Sequence, residues 1–340
     1  MRKVLASLLA LLMAFASCAL AESIDVYTWD GYFDPEILSE FTAETGIEVN
    51  LSPFASNEDM LVVMENGAAY DIVLASDYAL SILRKGDLLQ PLDMAALPNY
   101  ENLDPAYLNQ YYDPDGEYTI PYAAGSPVLV YNPELVEGEI TAFGDLYDEQ
   151  FAGSVCLLDS ARVMIGYINM LLGYDFNTTD DDELALSSEM LKQLKPNVLA
   201  LDSNLAYQYL LSGEAKAAFL FTSQAVVCEQ EMPGAFEYVF PEEGIGFGID
   251  AMVIPASAKN PEGAHAFLDY LMRPEVAARI QPWTMYMNVN AAAASLLPEG
   301  SLDYEALRIP EDLFATKQFA QDIGDYEGVY QDIWAEFKLS

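Results

Sequence analysis

Histidine is almost missing from this sequence. The 340 residues include one, His265, against 54 Asp+Glu and only 14 Lys+Arg. One histidine excludes a multi-histidine metal site, and its place inside the expected Pro261–Met272 helix speaks against a histidine-based catalytic triad. The shortage of basic residues leaves a formal net charge of −40. That balance argues against nucleic acid and an anionic membrane surface as partners, since binding either needs a basic face. Nucleotide-binding loops are also lacking: Gly244-Ile245-Gly246-Phe247-Gly248 is glycine-rich but has neither the P-loop nor the dinucleotide spacing. Its glycines suit a close backbone approach near a hinge, and no cofactor is expected. There is no internal repeat, low-complexity tract or Gly/Ser linker.

What is present describes an ordered, acidic protein. Hydrophobic residues make up 52% and aromatic residues 12%, too many for a disordered chain. The length suits two domains, and the acidic field suits a cationic small ligand. Residues 1–21 read as a secretory signal: Arg2 and Lys3, the apolar run Val4–Ala16, then the Ala19-Leu20-Ala21 cleavage pattern. Cleavage there takes the charge from −40 to −42, because only Arg2 and Lys3 are lost. A competing reading takes Phe15-Ala16-Ser17-Cys18 as a lipoprotein box with a lipidated Cys18, though Phe15 is a poor first residue for it. Two cysteines then remain, Cys156 and Cys228. Export permits a disulfide, and two buried thiols are an equal reading.

Periodicity gives an α/β protein. Ile24–Trp29, Ile47–Leu51 and Asp71–Ala75 read as strands, with helices after Asp34-Pro35, from Ser56 to Glu58 onward, and near Tyr78–Lys85. Alternation of this kind implies a mostly parallel sheet with helices on both faces. Gln90 to Tyr122 reads as a loose, proline-punctuated stretch. A second α/β block follows, with strands Ser154–Leu158 and Ala217–Phe221. Its helices start near Ala161, Asp182, Leu205 and Gln224, with Thr179 and Asp182 at capping-box spacing. Ser126–Asn132 and Ile249–Pro255 are the candidates for strands crossing between the blocks. Helices at Pro261–Met272, from Glu275 and over Ile323–Lys338 complete the chain.

Ligands of open α/β sheets bind beyond the carboxyl ends of the strands. The residues placed there are Trp29, Asp30 and Tyr32; Ser76, Asp77 and Tyr78; Asp159 and Ser160; Phe221, Thr222 and Ser223; and Asp250, at a proposed crossing. Arg162 is the nearby base. Aromatic faces with carboxylates are what an ammonium ligand requires, although single aromatics after strands also serve as rim packing.

Further stretches carry a family resemblance. Tyr27-Thr28-Trp29-Asp30-Gly31-Tyr32, Glu44-Thr45-Gly46-Ile47, Tyr70-Asp71-Ile72-Val73, Asn102-Leu103-Asp104-Pro105, Asn177-Thr178-Thr179-Asp180, Lys195-Pro196-Asn197-Val198 and Leu271-Met272-Arg273-Pro274 resemble, in order, the spermidine/putrescine-binding proteins of ABC transporters. The resemblance implies a two-lobed type II periplasmic-binding fold. Each lobe is a mostly parallel sheet flanked by helices, and the ligand sits in the cleft. Lobe 1 would be 22–127 with 251–303, and lobe 2 would be 128–250 with 304–340. It implies an exported, monomeric solute-binding protein that delivers a polyamine or related small cation to permease subunits. Carried over, the aromatic wall falls on Trp29, Tyr32, Tyr78 and Tyr286, the ligand-side serine on Ser76, and the amine-pairing carboxylate on Asp250. A family tryptophan becomes Phe221. The other family acids fall on Ser160, Val163 and Gln224, a further aromatic on Gly248, and a glutamine near Ala320, one place from Gln321. Asp30 and Asp77 could replace the lost charge or serve as turn and cap residues. Two alternatives stay open: the same fold holding an amino-acid-like or zwitterionic solute through Arg162, and a hydrolase using two carboxylates.

Overall fold

The computed structural model describes residues 22–340. The expected export segment and Cys18 lie outside the described residues. The first block runs β1 (Ser23–Trp29), α1 (Pro35–Thr45), β2 (Glu48–Phe54), α2 (Asn57–Glu65), β3 (Ile72–Ser76) and α3 (Asp77–Lys85). Local chemistry sets these limits. Asp34 caps α1 by accepting from Glu36 N at 2.8 Å, Pro35 occupies the first turn, and Gly46 ends the helix at φ +77°. Ser56 caps α2 by accepting from Asp59 N at 3.1 Å.

The stretch read as loose from Gln90 to Tyr122 ends in a strand, β4 (Ile120–Gly125), which β5 (Val128–Tyr131) follows. The prolines before it hid the short apolar run. The second block is β6 (Val155–Leu157), α4 (Ala161–Leu171), α5 (Asp181–Leu194), β7 (Val198–Leu201), α6 (Ala206–Leu211), β8 (Ala217–Leu220), α7 (Thr222–Glu231) and β9 (Glu237–Val239). The capping-box reading at Thr179 is corrected: the cap is Asp180, which accepts from Asp182 N and Glu183 N. The chain then returns through β10 (Gly246–Val253), α8 (Pro261–Leu271), α9 (Pro274–Thr284), α10 (Glu311–Ala315), β11 (Gln318–Phe319) and α11 (Tyr326–Leu339). Strand β10 begins earlier than the expected Ile249, because the glycines that obscured it in sequence are compatible with pairing at its start.

Two sheets result, built to one plan. In the first, β2, β1 and β3 run parallel, and β10 joins β3 antiparallel, with β4 and β11 also paired to it. In the second, β7, β6 and β8 run parallel, and β5 joins β8 antiparallel with β9 beyond it. Each antiparallel strand follows a passage from the other sheet: β4 to β5 through Ser126 and Pro127, and β9 to β10 through residues 240–245. Apolar layers cover both faces of each sheet. Helices α1, α8 and α9 lie on one face of the first sheet, and α2 and α3 on the other. No helix among the described residues is long and apolar enough to cross a membrane.

The crossing at Gly125 is tight. A Cβ there would lie 2.6 Å from Thr222 Oγ1 and 2.8 Å from the Tyr286 ring. Thr222 Oγ1 donates to Ser126 O at 2.7 Å and accepts from Ser126 N at 3.0 Å, pinning the passage to the head of α7. The single histidine has a structural place. His265 Nε2 accepts from Asp93 N at 2.8 Å, and Nδ1 lies 2.6 Å from Pro261 O. Cys156 and Cys228 are buried free thiols in one apolar layer, and burial pushes both up to about 12.

Asp71 anchors the base of β3. Its carboxylate accepts from Asp25 N at 2.9 Å, Lys259 N at 2.8 Å and Asn260 N at 2.7 Å. Asp71→Ala leaves those amides without an acceptor and should cost about 2–4 kcal/mol. Urea unfolding checks this, and an unchanged midpoint contradicts it.

Candidate functional site

The site grows from one register. Asp250 on β10 pairs with Ser76 at the end of β3 and with Ala123 on β4. The β4 pairing slips between Asp250 and Ala251, where the register passes from Ala123 to Pro121 and leaves Tyr122 as the extra residue. Such a bulge bends the strand and re-aims side chains. Tyr122 Oη then donates to Tyr32 O at 2.9 Å, fixing the turn after β1. Tyr32 Oη donates to Asp250 Oδ2 at 2.5 Å, and Ser76 Oγ donates to Asp250 Oδ1 at 2.7 Å. Burial pushes the Asp250 carboxyl above the usual range, while the Tyr32 and Ser76 hydrogen bonds pull it back. The result is a half-buried carboxylate held in one orientation.

Aromatic rings stand around it. Tyr32 lies 5.9 Å from Tyr122 and 6.2 Å from Tyr286, ring to ring. Burial pushes the Tyr286 hydroxyl up to about 12. Trp29, at the end of β1, packs 4.4 Å from Phe54 and carries a buried indole N–H without a partner. Tyr78, in the first turn of α3, donates to Glu58 Oε1 at 2.7 Å. Its ring face meets Arg162 of the second block at 5.2 Å. Glu58 was not among the expected site residues; in the sequence it read as the opening of a helix within a stretch of family resemblance.

Several expected positions face elsewhere. Asp30 is exposed in the turn before Gly31. Ser160 is the N-cap of α4, with Oγ 3.5 Å from Val163 N. Val163 packs against the second block's core, and so does Phe221 at the end of β8. Asp159 turns to α11, accepting from Trp334 Nε1 at 2.8 Å and Lys338 Nζ at 3.1 Å. Gln224 donates to Ser203 O at 2.5 Å. Arg162 is buried and committed: it reaches Glu327 at 2.8 Å, Asn177 Oδ1 at 3.0 Å and Gln321 O at 2.7 Å, and Tyr330 covers its other face at 5.2 Å. At Gly248, two residues before Asp250, a Cβ would meet nothing within 4 Å, so the missing aromatic leaves open space beside the carboxylate. Among the described residues no cluster of His, Cys, Asp and Glu could hold a metal ion.

This architecture is that of a receptor for a small solute: two sheets exchanging strands, with one oriented carboxylate at an exchange. The comparisons agree. A family model described as bacterial extracellular solute-binding protein matches residues 36–307. The spermidine/putrescine-binding periplasmic protein of Salmonella typhimurium is 33% identical over 336 residues, covering 98% of this chain and 96% of that protein. A putrescine-binding periplasmic protein of Pseudomonas aeruginosa is 32% identical over 320 residues, covering 86% of each. A spermidine/putrescine ABC transporter substrate-binding protein from Streptococcus pneumoniae superposes with a TM-score of 0.80 at 32% identity, covering 94% of this chain and 99% of that one. A Treponema pallidum lipoprotein shares the fold at a TM-score of 0.85 and 23% identity, covering 94% and 100%.

The chain belongs to the bacterial extracellular solute-binding family and has the two-lobed type II periplasmic-binding fold. Its relatives are transport receptors, and it is a solute-binding protein and not an enzyme.

Tyr32→Phe removes a hydrogen bond that favours the ionised Asp250. The Asp250 carboxyl should then titrate at higher pH, read by carbon NMR from the signal that Asp250→Asn removes. An unchanged or lower midpoint contradicts the assigned contact.

Proposed function

We propose that this protein captures a polyamine or related small organic cation outside the cytoplasm and hands it to the permease of an ABC importer. One observation carries the reading: the Asp250 carboxylate, oriented by Tyr32 and Ser76 and bordered by aromatic rings. A desolvated ammonium needs an anionic acceptor and gains from aromatic faces. The ligand would contact Trp29, Tyr32, Ser76, Tyr78, Asp250 and Tyr286, with Phe221, Ser160 and Asp30 on the margin. The polyamines that the Salmonella and Pseudomonas relatives are named for support the ligand class. Arg162 does not favour the zwitterion alternative, because Glu327, Asn177 and Gln321 already take up both terminal nitrogens of its guanidinium.

Export through residues 1–21, with or without a lipid on Cys18, and a monomeric state are part of the proposal. So is the division into lobes 22–127 with 251–303 and 128–250 with 304–340. Packing of Tyr330, Trp334 and Phe337 with the second block's core supports the end of the last segment, whereas Ile309, Phe314 and the β11 pairing with β10 favour placing about 309–319 with the first lobe. Strand β10 pairs with the first sheet from its start, which favours moving the second boundary to about residue 245.

Asp250→Asn removes the anion that answers a buried ammonium, a loss on the order of 3–5 kcal/mol for a fully buried pair. Amine binding should weaken about a hundredfold or more. Calorimetry on the folded variant checks this, and an unchanged dissociation constant contradicts the assignment.

Ligand length follows from the far wall. Ser160 caps a helix, Val163 packs against the core and Asp159 is turned away. A second ammonium reaching that end meets no free acid, costing roughly 1–3 kcal/mol against a paired one. A short diamine or compact monoamine should therefore outcompete spermidine in calorimetric displacement. Spermidine winning by about tenfold or more contradicts this.

A further inference from the structure

The Tyr32 hydroxyl orients Asp250, and side chains hold the backbone on which Tyr32 stands. Strand β1 ends at Trp29 and α1 begins at Pro35. Between them, Gly31, Tyr32 and Phe33 form no backbone–backbone hydrogen bond among the described residues. Two side chains supply the bonds instead. Trp283 Nε1 donates to Gly31 O at 2.8 Å, and Tyr122 Oη donates to Tyr32 O at 2.9 Å. Each peptide unit is planar. The two bonds therefore fix the planes on either side of the Tyr32 Cα, and with them the direction of its side chain. The first plane is the looser one. Gly31 sits at φ +71°, and glycine lets the peptide after it turn at little cost. The bond from Trp283 is what stops that rotation.

Core packing does not account for Trp283. Its side chain belongs to none of the apolar layers and is 43% exposed, whereas tryptophan is highly buried on average. Its place in the chain ties it to the site. Trp283 lies in the last turn of α9, and Met285, at φ +58°, ends that helix and leads into Tyr286. One helix end thus carries a ring of the aromatic wall and the donor that fixes Tyr32. Arg279, one turn earlier on α9, holds the far end of the same loop at Asp34 Oδ2, 3.3 Å away.

Resting on the ligand site proposed above, we propose that Trp283 is a positioning residue of that site: its indole N–H pins the Gly31–Tyr32 peptide so that the Tyr32 hydroxyl stays on Asp250. Trp283 acts through Tyr32 and does not touch the ligand. Without the pin, the Gly31–Tyr32 peptide samples several orientations, and only some of them aim the hydroxyl at the carboxylate. Binding then weakens in proportion to the fraction of molecules that remain competent.

Trp283→Phe keeps an aromatic ring and deletes the N–H. Calorimetry should show putrescine binding weakened about threefold to tenfold, the range of one hydrogen bond. In a Tyr32→Phe background the same substitution should change binding by less than about twofold, because no hydroxyl is left to aim. The Asp250 carboxyl gives a readout that needs no ligand: its midpoint by carbon NMR should rise in Trp283→Phe, by no more than in Tyr32→Phe, and should not rise further in the double variant. An unchanged affinity, an unchanged Asp250 midpoint, or equal weakening in both backgrounds overturns the proposal. If Trp283→Phe does not fold, the wild type decides: the Trp283 indole proton should exchange with solvent more slowly than a free indole, and exchange at the free rate overturns the proposal. A wild type that binds no amine contradicts the polyamine reading itself, and the Asp250 midpoint then decides the role of Trp283 alone.

Discussion

Everything at the site depends on where Asp250 sits in the β10 ladder. The strand pairs with β3 on one side and β4 on the other, so its side chain meets the end of β3 and the turn after β1 together. A shift of one residue would turn it to the opposite face of the sheet. The β4 bulge at Tyr122 ties this register to Tyr32, since the same tyrosine that interrupts pairing holds the Tyr32 carbonyl. Strand exchange then gives the position its mechanical meaning: β10 enters the first sheet directly from the second lobe, and a ligand on Asp250 lies at the joint. A ligand that touches both lobes favours the closed arrangement in proportion to its extra contacts there.

Much of the fold was legible because strongly periodic elements dominate it. Strand β1, helices α1 and α3, and the Pro261 and Pro274 helix starts lie within a residue or two of their sequence-derived limits. The misses share a cause. Strand β4 follows a proline-punctuated stretch, and β7, β9 and β11 are short and ordered by partners distant in the chain, which local pattern does not report. Resemblance and strand-end reasoning together brought Tyr32, Ser76 and Asp250 to one place. They could not show that Asp159 turns to α11, that Ser160 is spent on a cap, or that Asp77 is buried with one oxygen unpaired. Those outcomes rest on side-chain direction, which spacing does not encode.

The charge balance acquires a local sense in this setting. Of 54 acids most are solvated, and they supply a diffuse field that draws cations toward the molecule. In the proposed reading recognition falls to the half-buried Asp250, where the dielectric is lower and a missing partner is costly. Arg162, the buried cation of the cleft region, is neutralised by Glu327 and clasped between Tyr78 and Tyr330. It joins the second block to Tyr78 of the first.

The most direct measurement is a crystal structure with putrescine bound. The account predicts an ammonium nitrogen within hydrogen-bond distance of the Asp250 carboxylate, with Tyr32 and Ser76 still donating to that group and the methylenes against the aromatic wall. Putrescine bound away from Asp250, or an Asp250 carboxylate facing no cation in the closed cleft, would contradict it.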